Sequence, residues 1–463
     1  MNKLRKIWDW LNDRTGVLAS IKPLAEHLVP PGAKWAYVFG SATLFVFMLQ
    51  VISGVALSLL YQPTSETAYA SLKYISEQVP LGDILRGIHY YGASAMIILV
   101  GMHMIRVYIY AAYKYPREVS WMSGILLLGL TVAMGFTGQL LRWDSFGLWS
   151  TVVGAEQAGR IPFIGTWLAH FLMAGGNIGG ATLSRFFAIH VFVIPALLFG
   201  LIGLHIFLVI RNGISEPPEA GRPVEPKKYR SWYKSMLEKK GVPFWPNAAW
   251  RDLTFGLVVV IIILILAVFI GPPKIGKPPN PSNIITNPRP DWYLLWIFAL
   301  FALMPRAIES YAIAFGPLIV GLFLIFLPLM FSKGERSPLR RPWSVGITVF
   351  IVTMVITLWY EGVKSPWSPR FQAKPLTKEI IGNVSPPATK GADLFFSEGC
   401  IYCHKISGHG GIRGPNLTKV ADRLTTDEMT IMIVNGGGNM PAFGQSLNSK
   451  ELKELLAFLG TRK

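Results

Sequence analysis

The chain has 463 residues, of which 51% are hydrophobic, 13% aromatic and only 15% charged. A soluble domain carries about 25% charged residues, and several apolar runs here reach the roughly 18 to 20 residues that cross a bilayer. The bulk is therefore a multi-span membrane protein, and a disordered chain, a disulfide scaffold and a collagen-like fibre are excluded. The net charge of +18 does not point to nucleic acid, because Lys and Arg flank apolar spans, where they set membrane orientation.

Residues 1–16 have basic residues but no apolar core of a signal peptide. They read as an amphipathic helix on the membrane surface, anchored by Trp8 and Trp10. Seven spans follow, at about 35–60, 88–111, 120–141, 185–211, 252–271, 309–331 and 343–361. A further apolar stretch, 292–304, is too short to span and is expected in or near the interface. The N-terminal segment and the links after the second, fourth and sixth spans carry more than twice the Lys and Arg of the other three loops. That side is expected to be cytoplasmic, and seven spans then put the C-terminal tail outside. Residues 362–387 hold Pro366, Pro369, Pro375, Pro386 and Pro387 and read as a semi-rigid linker. From about 388 the composition is that of a small soluble domain.

In that domain Cys400-Ile401-Tyr402-Cys403-His404 is a C-x-x-C-H motif, the pattern that attaches a c-type haem. The two thiols bond the porphyrin edge and His404 reaches the iron. Met440 is the candidate second ligand, in Asn439-Met440-Pro441, with Gly414-Pro415-Asn416-Leu417 as a loop to pack on the haem. A redox C-x-x-C or part of a zinc site would need a second cysteine pair or an inward-facing domain, and Cys400 and Cys403 are the only cysteines. Gly436-Gly437-Gly438 lacks the Lys and Ser/Thr of a phosphate loop.

Four histidines lie inside apolar spans: His89 and His103 in the second, His190 and His205 in the fourth. Each pair is roughly 21 to 22 Å apart along its helix and within about 60° of one face. The two helices run in the same direction, so His89 pairs with His190 near the outer surface and His103 with His205 near the inner one, sites for two b-type haems. Ionisable groups at membrane depth mark function; the alternative is four histidines bonded within the bundle. Gly40 and Gly54 in the first span, and Gly124 and Gly138 in the third, nearly repeat the histidine spacing. Glycine permits close backbone approach, so each haem is expected between two histidine helices and two glycine helices. Arg86, Arg106 and Arg185 flank these histidines and are candidates for propionates or a quinone pocket, unless they snorkel to the interface. Pro290-Asp291-Trp292-Tyr293 opens the interfacial stretch on the outer side and offers Asp291 as a proton acceptor. His27, His170 and His409 lack paired spacing and are expected in surface or loop roles.

These motifs, with Leu183-Ser184-Arg185-Phe186-Phe187 before His190, resemble cytochrome b of the quinol-oxidising cytochrome bc complexes. Seven spans, and the 14 residues between His190 and His205, most resemble the bf branch. There the protein is split into a four-span cytochrome b and a three-span subunit IV; here both are fused, with a class I cytochrome c added. The resemblance covers essentially the whole chain. It implies an all-α protein: a seven-helix membrane bundle, four helices of it forming a dihaem bundle, then a small α-helical cytochrome c domain. The expected segments are 1–34 (surface segment), 35–215 (dihaem domain), 216–361 (subunit IV-like domain), 362–387 (linker) and 388–463 (cytochrome c domain).

By the same resemblance the chain is a subunit of a proton-translocating quinol–cytochrome c reductase in a bacterial cytoplasmic membrane. Quinol would bind near Asp291 and Tyr293, with Pro290 and Trp292 lining the site. One electron would pass to a Rieske iron–sulfur protein and on to the c haem. The other would cross two b haems to an inner quinone site near Arg211. Further small subunits, an external cytochrome c or equivalent acceptor, and a homodimer are implied. Three departures stand out. Asp291 replaces the family's glutamate. Val38 stands where the bf branch has a haem-binding cysteine, so an extra haem there would be non-covalent. Arg142, before Trp143-Asp144, stands where the branch has proline. Two other readings fit the same residues: a dihaem membrane anchor linking quinone to a dehydrogenase without bifurcation, and a scaffold that tethers a cytochrome c.

Overall fold

The structure is a computed structural model describing residues 2–16, 22–23, 25–175, 178–280, 289–365, 367–436, 440, 442–444 and 446–463. Pro366, Gly437, Gly438, Asn439 and Pro441, named above, lie outside the described residues. Seven helices are long and apolar enough to cross a membrane: Phe39–Ser58, Gly82–Ile109, Glu118–Leu140, Gly180–Asn212, Ala249–Ile270, Ala307–Met330 and Pro342–Lys364. The short apolar helix Trp292–Leu303 lies between the fifth and sixth. The spans expose rows of large apolar side chains such as Ile52, Phe269 and Phe350, the surface that lipid rather than water covers. The N-terminal segment forms a helix, Asn2–Thr15, with Trp8 and Trp10 exposed.

The second span starts at Gly82, six residues before its expected boundary. Asp83 and Arg86 form an i,i+3 pair in its first turns, so the helix extends beyond the apolar run that marked it. The loops hold helices that apolar runs could not reveal: Ala68–Glu77, Ser145–Gly159, Gly165–Met173 and Pro226–Lys240. Asp144 caps Ser145–Gly159, accepting from the Gly147 amide at 2.8 Å.

By its internal contacts the chain divides into two units. One holds Met1–Ser282, Pro288–Leu295 and Leu303–Thr357; the other holds Asn283–Asn287, Trp296–Ala302 and Leu358–Lys463. The first therefore joins most of the stretches expected as two domains, 35–215 and 216–361. The reason is packing: the fifth span lies against the first and second, and the sixth against the third. Ala42, Val46, Phe47, Met96, Leu99, Ile194, Leu198 and Ile263 form one buried cluster drawn from four spans.

On the side expected to be cytoplasmic, four basic residues are not merely orientation signals. Lys114, Arg117, Arg336 and Arg341 are buried. The Arg117 guanidinium donates to the carbonyls of Gly213, Asn212 and Ile214 and to the Tyr229 hydroxyl. Tyr229 donates to Glu216 at 2.7 Å, and Glu216 pairs with Arg336. This chain of bonds ties together the links after the second, fourth and sixth spans.

In the second unit, helices Pro386–Ser397 and Ser449–Leu459 pack around Phe395, Leu455 and Phe458. Thr426–Asn435 and Ser449–Leu459 each begin with a reciprocal capping box, Thr425/Glu428 and Asn448/Glu451. Part of the expected linker belongs to this core. Leu376 is buried in it, and Ala373, Ile380, Ile381 and Val384 pack against it. Proline masked the apolar spacing of these residues.

Replacing Arg117 with methionine leaves a buried hydroxyl and several carbonyls without their donor. A loss on the order of 3 kcal/mol is expected, read as a lowered thermal midpoint of the purified protein; an unchanged midpoint contradicts the role of this network.

Candidate functional site

Each intramembrane histidine ring lies against a glycine of the preceding span. A Cβ added at Gly40 would come within 3.1 Å of His103 Cε1, at Gly54 within 3.2 Å of His89, at Gly124 within 3.5 Å of His205 and at Gly138 within 2.7 Å of His190. At Gly40, Gly54 and above all Gly138 a side chain would crowd the imidazole, whereas at Gly124 the contact is an ordinary one. The His89 and His190 ring centroids are 6.3 Å apart, with the rings edge to face at 75°. His89 and His190 are the residues that would hold a metal between the second and fourth spans. His103 and His205 are within electrostatic reach of each other.

The two pairs have unequal spacing along the chain, 14 residues against 15, and the structure shows how both fit one geometry. Residues Ile189–Val193 form a π turn that includes His190. A π turn holds one residue more than an α turn. The fourth span thus absorbs its extra residue and keeps both histidines on one face.

Three of the four rings are oriented by a hydroxyl that immediately precedes the glycine. His89 Nδ1 lies 3.0 Å from Ser53 Oγ, His190 Nδ1 3.0 Å from Thr137 Oγ1, and His205 Nδ1 2.8 Å from Ser123 Oγ. Each hydroxyl spends its proton on a carbonyl one turn back: Leu49, Ala133 and Ser120 respectively. It therefore accepts from Nδ1–H, leaving Nε2 bare as a metal ligand. Position 39 is phenylalanine, so His103 has no equivalent hydroxyl. The serine or threonine before Gly54, Gly124 and Gly138 was readable in the sequence and is the signal that composition and spacing missed.

On the side expected to be outer, a cavity of about 310 Å³ is lined by His89, His190, Gly54 and Gly138, and also by Arg86, Arg142, Asp291, Trp292 and Tyr293. The histidine pair and the acidic motif thus share one chamber. Trp292 donates to Ser94 Oγ at 3.1 Å. The Tyr293 ring stands over Gly135, where a Cβ would collide with its hydroxyl. Burial raises the Asp291 carboxyl above its usual range, opposed by the nearby Arg142 guanidinium. Burial and Asp291 also raise the Tyr293 hydroxyl. Pro290 precedes Asp291 in the chain and is half-buried, outside the residues lining this cavity.

A strap after the fifth span is pinned over this region. Tyr91 bonds the Gly271 carbonyl at 2.7 Å, Arg86 the Pro273 carbonyl at 2.9 Å and Tyr69 the Gly276 carbonyl at 2.9 Å. The Gly276 amide donates to Asp144 Oδ2 at 2.9 Å. Arg86 Nε and, on the other side, Arg106 Nε and Nη2 are buried without a hydrogen-bond partner among the described residues. The Arg106 guanidinium instead stacks 3.6 Å over the Tyr37 ring. Orphaned guanidinium nitrogens of this kind call for a carboxylate. Arg185 is placed differently: it donates to the Phe171 carbonyl, stacks on that ring and does not line the cavity. Arg211 is exposed at the end of the fourth span.

The C-terminal motif is also pre-shaped. Cys400–Cys403 form a single helical turn, and both thiols are free. Burial pushes the Cys400 thiol up to about 12 and raises Cys403. His404 Nδ1 lies 2.9 Å from the Pro415 carbonyl, so it carries the proton and Nε2 is left for a metal. Gly414 lies against this ring; a Cβ there would be 2.5 Å from His404 Cε1. Met440 packs, half-buried, against the domain core. The unpaired histidines have local roles: His27 stacks on Phe244 and His409 Nδ1 contacts the Ser407 carbonyl, while His170 lies in the last turn of the helix Gly165–Met173.

Residues 24–213 match the family described as cytochrome b/b6/petB. Residues 386–459 match cytochrome C oxidase, cbb3-type, subunit III. The menaquinol:cytochrome c reductase cytochrome b subunit of Bacillus subtilis is 40% identical over 222 residues, covering 46% of this chain and 99% of that protein. Cytochrome b/c1 of Bradyrhizobium diazoefficiens is 30% identical over 363 residues, covering 77% of this chain and 50% of its own length. A solved structure titled hyperthermophilic respiratory Complex III superposes with a TM-score of 0.66 at 26% identity, covering 77% of this chain and 91% of that one. This chain belongs to the cytochrome b family and carries a cytochrome c domain at its C-terminal end.

Proposed function

We propose that the chain is the core subunit of a quinol–cytochrome c oxidoreductase and that quinol is oxidised in the outer cavity. The observation that carries this reading is that one cavity joins the His89/His190 pair to a buried carboxylate, Asp291. Residues His89 with His190 and His103 with His205 are proposed to hold two b-type haems, and Cys400, Cys403, His404 and Met440 one c-type haem. Glycine cradles, protonated Nδ1 atoms and orphaned arginine nitrogens all suit such groups. When bound, these haems supply one-electron carriers whose potentials depend on their axial ligands.

The protein's own part is to hold quinol and to take its protons. Asp291, raised by burial, is a better base near neutral pH than an exposed aspartate. It accepts a proton from the quinol hydroxyl, and Tyr293 and Trp292 bound the substrate. One electron leaves to a Rieske iron–sulfur partner and on toward an external cytochrome c or equivalent acceptor. The other crosses the membrane to reduce quinone at the inner side, near Arg211. Protons are released outside and taken up inside. The Bacillus subtilis relative is named for menaquinol, which makes a menaquinol analogue the first substrate to try. The expected setting is a bacterial cytoplasmic membrane, N-terminus inside and cytochrome c domain outside, in a homodimer with further small subunits. The segments 35–215, 216–361 and 388–463 are proposed as the functional counterparts of cytochrome b, subunit IV and cytochrome c.

A pyridine haemochrome assay on the purified chain is expected to count two b haems and one c haem. Gly138→Val, which drives a side chain into His190, is expected to remove one b haem and leave the c haem. One c haem alone in the wild type would sink the dihaem reading, and a third b haem would place a non-covalent haem beside Val38.

Asp291→Asn is expected to slow quinol oxidation about 100-fold with haem spectra unchanged. Because Asp291 must be ionised to accept a proton, wild-type turnover should fall as pH drops through its raised pKa, and the variant should lose that limb. Undiminished turnover would remove Asp291 from the mechanism. Turnover without a co-purifying iron–sulfur subunit would favour a dihaem anchor without bifurcation.

A further inference from the structure

We propose that Arg142 is a positioning residue of the outer site, which holds the strap in place and sets the charge that Asp291 faces. The proposal rests on the reading of Asp291 as proton acceptor. Arg142 and Asp291 line the same cavity, although they are 149 positions apart in the chain. Arg142 Nη2 is 2.6 Å from Asp144 Oδ2 and 3.3 Å from the Lys274 carbonyl. Its guanidinium also packs 5.5 Å from the Phe146 ring centroid. Asp144 is completely buried. Its two oxygens are further held by the amides of Gly147 and Gly276, at 2.8 and 2.9 Å. Arg142 is thus fixed by a rigid carboxylate, one end of the strap and an aromatic ring.

Charged and titratable groups approach Asp291 from several elements. The corner at 141–145 presents Arg142 and Asp144. The second span presents Tyr90, and Arg86 with its partner Asp83. The strap carries Lys274 and Lys277, and Arg289 and Tyr293 flank Asp291 in the chain. Arg86 is committed to the Pro273 carbonyl and to Asp83. Among the charged groups acting on Asp291, Arg142 is the principal one that stabilises its ionised form, and Asp144 opposes it. Without Arg142, the Asp144 charge acts on Asp291 with its bonded guanidinium gone, and Asp291 holds its proton more tightly. The acid limb of quinol oxidation then moves to higher pH. Without the Asp144 charge it moves to lower pH.

The test measures quinol oxidation against pH in the intact complex for wild type, Arg142→Gln, Arg142→Lys, Asp144→Asn and Asp291→Asn, with b-haem spectra confirming assembly. The infrared C=O band of protonated Asp291, identified by its loss in Asp291→Asn, is titrated in parallel and does not depend on turnover. Arg142→Gln should raise both midpoints by about one pH unit, Arg142→Lys should leave them near the wild-type value, and Asp144→Asn should lower them. Asparagine retains the helix cap, so Asp144→Asn keeps the sign test available should Arg142→Gln fail to assemble. Equal losses of rate at every pH, with unmoved midpoints, would reduce Arg142 to a latch for the strap and overturn its electrostatic role. An acid limb that survives Asp291→Asn would instead overturn the reading of Asp291 itself.

Discussion

The structure depends on one constraint: an imidazole inside an apolar bundle must be brought close to a neighbouring helix and must point one particular nitrogen inward. The neighbouring glycines permit the approach. For three of the four rings, a hydroxyl one residue earlier settles the orientation. Its proton goes to a carbonyl of its own helix, so its lone pair must accept Nδ1–H. In hydrocarbon, where water supplies no alternative partner, such a bond holds more firmly than it would at a surface. First span with second, and third with fourth, are locked at these contacts, and the rest of the bundle packs around them. The π turn at Ile189–Val193 serves the same constraint, since it corrects the rotation that one extra residue would introduce.

The outer cavity is assembled from parts distant in the chain. His89 and Arg86 come from the second span, Gly138 from the third and Arg142 from the corner after it, His190 from the fourth, and Asp291 from the motif beyond the fifth. Backbone carbonyls of the strap receive bonds from Arg86, Tyr69 and Tyr91. A polar loop at membrane depth must satisfy its backbone with protein groups, and these side chains do so. The same bonds place cationic and acidic groups around a buried carboxylate, so closing the loop and tuning the proposed proton acceptor are one act of construction. On the opposite side, Arg117, Tyr229, Glu216 and Arg336 perform the structural half of that task.

Much of this was legible beforehand, for identifiable reasons. Long apolar runs mark spans because a bilayer sets their length, and the seven helices follow them closely. Histidine and glycine spacing was readable because a helix has a fixed rise and turn. Other features were hidden. The helix Ser145–Gly159 is moderately apolar but lies in a loop between spans, with no run long enough to announce it. Leu376 and its neighbours looked like linker because prolines broke their pattern, although they complete the cytochrome c core. Lys114, Arg117, Arg336 and Arg341 counted as orientation signals because charge alone does not reveal burial. Arg185 flanks His190 in sequence yet turns to Phe171, a choice of rotamer that spacing cannot express.

By itself the sequence determined everything that depends on local period and local chemistry: the spans, the paired histidines, the glycines opposite them, the C-x-x-C-H motif and the acidic PDWY segment. Tertiary structure alone decided which groups share a chamber. That Asp291 looks into the same cavity as His89 and His190, and that Arg142 reaches it across 149 residues, follows from how helices cross and where a strap is pinned. The physical reason is range. Hydrophobic period acts over a few turns of one helix, whereas desolvation and charge act on whatever the folded chain brings within a few ångströms.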